Sequence, residues 1–191
     1  MKKNVSQGVR CILILVLTAV LLFTGCTLPT LPHEWQKYLD FKFTDYIQMK
    51  DGVLWGIPCA YTRVSSDYGY RYHPITGKWS GHKGMDLAAP EGTPIYASRS
   101  GVVVYADWDT VESGGGLYVS IDHQDGYKTQ YMHMKELVVE KGQEVEMGQL
   151  IGYVGKTGTA TGFHLHFVIR IWKEETQSWG WANPNDYIDF Y

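Results

Sequence analysis

Cysteine is scarce, with three in 191 residues at positions 11, 26 and 59. Cys11 lies inside an apolar N-terminal run and Cys26 just past it, so no disulfide framework is expected, although a Cys26–Cys59 bridge stays open. Excess positive charge is also missing. Lys2, Lys3 and Arg10 precede or enter the apolar run, so residues 26–191 carry 14 Lys and Arg against 20 Asp and Glu, a net of −6. Such a surface does not suit binding to nucleic acid through bulk charge. Long Ala/Leu/Glu/Lys runs of helical type are absent, and no internal repeat is visible. "HEWQK" at residues 33–37 begins like the zinc-protease helix motif H-E-x-x-H, but Lys37 stands where the second histidine belongs, which excludes it. What is abundant is glycine, at 21 residues, with 14 tyrosines and 7 tryptophans. That composition suggests a β-rich protein, and the length suits one domain plus extensions.

The uncharged run from Cys11 to Phe23 is shorter than the ~20 residues that span a bilayer as a helix. With its basic start it reads as a secretion signal over residues 1–25. It ends in "LFTGC", which resembles the lipobox of bacterial lipoproteins, with Phe23 in place of the usual leucine. The resemblance implies a lipid on Cys26. Ordinary cleavage and an uncleaved anchor are the competing readings, and all three export the domain to the envelope side of the membrane. Residues 26–52, opening with the Pro-punctuated "TLPTLP", read as a tether containing at most one short helix.

From Val53 to the C-terminus, short alternating or apolar runs are punctuated by Gly, Pro and Asp. Strands are expected near "VVVYADW", "GLYVSIDH", "YKTQYMHM", "LIGYVG" and "FHLHFVIRIW", with no helices between them. The expected fold is therefore all-β, a compact antiparallel sheet or sandwich. On the last strand, Phe163, Leu165, Phe167, Ile169 and Ile171 share one face, and His164 and His166 share the other. Two adjacent imidazoles suit a metal or acid–base chemistry. His82 and Asp86 lie four residues apart with Gly84 between them, which lets both side chains turn to one point. His133 stands in an expected strand with Tyr131 on its face and Met132 and Met134 on the other. Taken singly, each of these histidines also suits a buried structural role.

The segments "SSDYGYRYHPITGKWSGHKGMDLAAPEGTPIYASRSGVVVYADW", "DHQDGYKTQYMHM" and "KGQEVEMGQLIGYVGKTGTATGFHLHFVIR" together resemble the lysostaphin-type, LytM-like zinc endopeptidases, in that family's order. The resemblance implies an antiparallel β domain with a substrate groove, one Zn²⁺, and hydrolysis of amide bonds in peptidoglycan peptides. It implies that His82, Asp86 and His166 hold the metal and that His133 and His164 are catalytic, with no role settled among Tyr68, Tyr70, Tyr72 and Tyr131 for oxyanion stabilisation. The expected partners are peptidoglycan peptides and, through Cys26 or the N-terminal anchor, the membrane; the domain is expected to act as a monomer. A non-catalytic relative that activates other hydrolases or binds cell wall is the alternative, which the full ligand set disfavours. His73 is expected in a turn beside the groove, His123 at a solvated hairpin tip, and "TGTATG" as a glycine-rich loop on the groove rim.

Overall fold

The computed structural model describes residues 41–73, 75–109 and 114–191. The leader, Cys26 and the first part of the tether lie outside the described residues. Among those described there is no α-helix, only 3-10 turns at Phe43–Tyr46 and Pro184–Asp186. The strands are β1 Ile47–Lys50, β2 Val53–Gly56, β3 Arg63–Ser66, β4 Gly69–Tyr72, β5 Trp79–His82, β6 Met85–Ala88, β7 Pro94–Tyr96 and β8 Gly101–Trp108. They continue with β9 Leu117–Asp122, β10 Tyr127–Met132, β11 Met134–Leu137, β12 Glu144–Val145, β13 Leu150–Val154, β14 His164–Lys173 and β15 Ser178–Ala182. Their pairings are antiparallel, as expected of strands joined by tight turns.

The largest sheet runs β12-β8-β9-β10-β14-β6-β3, and β15 also pairs with β14. One edge of β14 follows β10 along most of its length; the other pairs first with β6 and then with β15. β14 is thus the central strand, and its alternation decides what lies on each face. Leu165, Phe167 and Ile169 are fully buried together with Val119, Ile121 and Tyr131 of the neighbouring strands. Each such side chain contributes about 1.5–3 kcal/mol through burial. The three-stranded sheet β11-β13-β7 adds Met134, Ile151, Val154 and Ile95 to the same core. The even positions of β14, from His164 to Arg170, face a groove of about 660 Å³.

Two expectations need correction. The tether, drawn to Gly52, runs too far: β1 pairs with β2 around Asp51 and Gly52, both at positive φ, and Phe43 is buried against Gly56 and Gly148. Phe43, which also packs against Tyr96, brings this segment into the fold. His123 is not solvated. It is only 8 % exposed, donating or accepting at both ring nitrogens, to Ser100 O at 2.8 Å and Thr129 Oγ1 at 3.0 Å, with Trp55 edge-on to the ring.

Candidate metal centre

Register builds the centre. His166 lies directly across from Asp86 on β6 and from Met132 on β10, so the three side chains share the groove face. His82, the last residue of β5, reaches the same point because Gly84 allows β6 to run tightly under β14. A Cβ at Gly84 would stand 2.5 Å from Phe167 O and 2.8 Å from His166 Cε1. The glycine is therefore needed for close approach, and its φ is not in the left-handed region.

Three donor atoms converge. His82 Nε2 is 3.1 Å from Asp86 Oδ1 and 3.0 Å from His166 Nδ1, which is 2.7 Å from Asp86 Oδ1. Donor pairs around a tetrahedral zinc at ~2.0–2.1 Å stand about 3.3 Å apart, so this triangle fits such an ion after a small expansion. Its two nitrogens and one carboxylate oxygen form a catalytic-type set, with a fourth position for water. Each element of support is visible. His82 Nδ1 donates to Asp67 O at 2.6 Å, which leaves Nε2 as a lone-pair donor toward the centre. Arg71 Nη2 lies 3.4 Å from Asp86 Oδ2, so the second carboxylate oxygen is held while Oδ1 faces the histidines. The sequence reading missed Arg71. Its signal was the alternation of "GYRY", where Arg71 stands two residues before an expected turn with no other role.

Charge states agree with this use. Burial works against the Asp86 carboxylate, but the adjacent His166 and His82 rings outweigh it and hold the group well below the usual carboxylate range. Burial pushes His166 down, opposed in part by Asp86. An anionic carboxylate with neutral imidazoles is the form that binds a cation.

Two further rings stand beside the triangle. His164 Nδ1 donates to Gly162 O at 2.9 Å, and its Nε2 lies 3.6 Å from Asp86 Oδ1. His133 Nδ1 donates to Thr157 O at 2.8 Å, and its ring centroid is 4.8 Å from that of His164 and 5.8 Å from that of His166. Both rings thus direct Nε2 away from a carbonyl anchor. Burial, followed by the fields of His164 and His166, pushes His133 down to about 4.

The route of His133 into the groove differs from the expected one. Strict alternation along β10 puts Gln130 and Met132 on the groove face and Tyr131 in the core, so residue 133 belongs on the core side. His133 instead has φ of +63° and separates β10 from β11, and this break returns its ring to the groove. Histidine is among the residues enriched in the left-handed region. The bond from His133 N to Gly115 O, 2.9 Å, and the Thr157 anchor hold it there.

Tyr131 cannot stabilise an oxyanion, because it is fully buried with its hydroxyl between Ser98 N and Thr129 Oγ1. Tyr70 and Tyr72 are exposed and pack around Trp79 on the outer side of the β4–β5 ribbon, and Tyr68 does not line the groove. The tyrosine that does line it is Tyr118, which the sequence reading did not consider. His73 caps its own turn, accepting at Nδ1 from Ile75 N and Thr76 N, and borders the groove. Thr159 and Ala160 of the "TGTATG" loop form the rim, and Thr157 ties that loop to Leu117 N and Met134 O.

The chain is similar to known proteins in sequence and fold. Residues 80–178 match the model of Peptidase family M23. The DD-carboxypeptidase/endopeptidase Mpg of Neisseria meningitidis is 45 % identical over 114 residues, covering 60 % of this chain and 26 % of that protein. Peptidoglycan DD-endopeptidase ShyC of Vibrio cholerae is 42 % identical over 111 residues, covering 58 % and 25 %. The chain spans about a quarter of the length of these curated relatives. Among solved structures, the catalytic domain of lysostaphin from Staphylococcus simulans aligns with a TM-score of 0.56 at 31 % identity, over 64 % of this chain and 88 % of that one. A zinc-containing peptidase from Vibrio cholerae aligns at 0.55 and 34 %, over 63 % and 41 %. With its donor triangle and paired histidines inside the matched span, the chain belongs to Peptidase family M23.

Proposed function

We propose that the chain is a zinc-dependent endopeptidase that hydrolyses amide bonds in the cross-links or stem peptides of peptidoglycan, acting as an exported monomer. The observation that carries this reading is the convergence of His82, Asp86 and His166 at the base of an open groove with the His133 and His164 rings beside them. Relatives named as peptidoglycan endopeptidases supply the substrate class. One chain supplies all five side chains, so no second copy is required.

His82, Asp86 and His166 would hold Zn²⁺. When bound, zinc supplies a Lewis acid that polarises the scissile carbonyl and lowers the pKa of water to about 7. The histidines handle the protons. His164, whose Nδ1–H is held by Gly162 O so that Nε2 carries the lone pair, accepts the proton of the attacking water. His133 is neutral at rest, so the proton it gives to the leaving amine is one received during the reaction through the adjacent His164 ring. Its low basicity makes that transfer to the amine favourable. One proton leaves water and one reaches nitrogen, which balances hydrolysis.

Export and attachment through a lipid on Cys26 complete the proposal, on the strength of "LFTGC" and the basic, apolar leader before it. Membrane and soluble fractions from producing cells, incubated with a defined cross-linked muropeptide and read by mass spectrometry, test both parts. Cleavage sensitive to chelator is expected in the membrane fraction, moving to the soluble fraction with Cys26→Ser. Absence of chelator-sensitive cleavage in every fraction overturns the enzymatic proposal, and activity that stays membrane-bound in Cys26→Ser overturns the lipid.

A further inference from the structure

One end of the groove carries cations that the hydrolytic machinery does not use. Arg170 follows His166 by four residues on the same face of β14, about 13 Å along the strand. Trp181 of β15 lies directly across from it, and the Arg170 guanidinium stands 4.8 Å from the Trp181 ring centroid. The Lys83 ammonium rests 3.9 Å from the centroid of the same ring. All three residues line the groove, as does Tyr118.

Arg170 is held in place but not neutralised. Its Nη2 donates to Trp179 O at 2.7 Å, while its Nε is enclosed without a partner. Among the described residues no carboxylate lies within salt-bridge distance of Arg170 or Lys83, unlike Arg71, Arg99, Lys128 and Lys135, which each have one. The groove's two described acids are engaged elsewhere: Asp86 with Arg71 and the histidines, and Asp109 with Gly115 N. Burial pushes Arg170 down, yet a guanidinium stays charged at any physiological pH. Burial likewise raises Tyr118, so its hydroxyl remains a donor. A partly dehydrated cation with no counter-ion among the described residues, set on an aromatic platform in a binding groove, is suited to receive an anion.

We infer that Arg170, Lys83, Trp181 and Tyr118 form a subsite for a carboxylate of the peptide substrate. This rests on the peptidase reading above, which supplies a peptide lying along the groove. At ~3.3 Å per extended residue, the recognised carboxylate lies about three to four residues from the scissile amide. A carboxylate at that distance is not that of a single-residue leaving group, so the subsite favours cleavage within a peptide over removal of its last residue.

The test measures binding of a cross-linked muropeptide by the full-length chain, comparing the free acid with its fully amidated form. The native chain is expected to bind the acid about ten- to a hundredfold more tightly, as a charge-assisted bidentate contact would provide. Arg170→Gln should bind both forms alike, and Lys83→Gln, at an exposed position, should reduce the preference without affecting folding. Equal affinity of the native chain for the two forms, or a preference that survives in both variants, overturns the subsite. Cleavage of the amidated muropeptide by the native chain is scored separately. Cleavage without an acid preference removes the subsite and leaves the peptidase; an acid preference without chelator-sensitive cleavage removes the peptidase and leaves an anion-binding groove.

Discussion

Asp86 uses its two oxygens for different ends. Oδ1 closes the donor triangle and Oδ2 faces Arg71, so the carboxylate is aimed as well as charged. His123 shows the opposite use of an imidazole. It is enclosed between Ser100 O and Thr129 Oγ1, and burial, the largest influence on it, pushes its pKa down to about 4. An unfolded histidine titrates near ~6.5. Between those values the unfolded chain binds more protons than the folded one, so stability rises with pH across the window and is lost as pH falls from ~6.5 toward 4. The full loss from this ring is about 3 kcal/mol. Urea unfolding between pH 4 and 7 should therefore show a shallower pH slope in His123→Gln than in the native chain; matching slopes would rule this ring out. "DHQDG" reads locally as a hairpin tip, and residues outside it, Ser100, Thr129 and Trp55, enclose the ring. Local sequence held no sign of that.

β14 and its neighbours show which parts of the site local sequence could specify. Alternation in "HLHFVIRI" placed His164 and His166 on one face, and antiparallel register with β6 then put His166 opposite Asp86. The spacing of His82 and Asp86 around a glycine was legible for the same reason, although the physical role of Gly84 is close approach to β14. Gly84→Ala should drive a methyl group into Phe167 O and the His166 ring. Overpacking of this kind costs about 1–3 kcal/mol. The variant should melt at lower temperature and bind zinc more weakly in a calorimetric titration; unchanged zinc affinity would show that the spacing of β6 and β14 does not set the ligand positions. His133 was legible as a residue and not as a position. Strand periodicity carries no information on a single left-handed residue, and the bonds that hold it come from Gly115 and Thr157, distant in sequence.

Taken as one body, the described chain is closed by its ends. Gln48 of β1 donates through Nε2 to Asp189 O and accepts at Oε1 from Asp189 N, tying the first hairpin to the last residues. Tyr61 donates to Phe190 O, and Phe190 and Ile188 complete the core. A boundary at Val53 cuts through this closure, because composition marks the proline-rich spacer clearly and the short strand after it only faintly. A chain beginning at residue 53 would lose the burial of Phe43 and the Gln48 bonds, a loss of about 3 kcal/mol for the ring alone. Its melting temperature should fall by roughly 10 °C relative to a chain beginning at residue 41; equal melting temperatures would return residues 41–52 to the tether.

The central claim is that residues from three separate strands hold one catalytic cation while two histidines act beside it. Zinc content per chain, measured by elemental mass spectrometry after dialysis, tests this most directly in the native protein, Asp86→Asn and His133→Asn. Asparagine tolerates the left-handed backbone at position 133, so that variant keeps the fold. One zinc is expected in the native chain and in His133→Asn, and little or none in Asp86→Asn. Metal retained at full occupancy in Asp86→Asn, or lost from His133→Asn, would contradict the division between ligands and proton carriers.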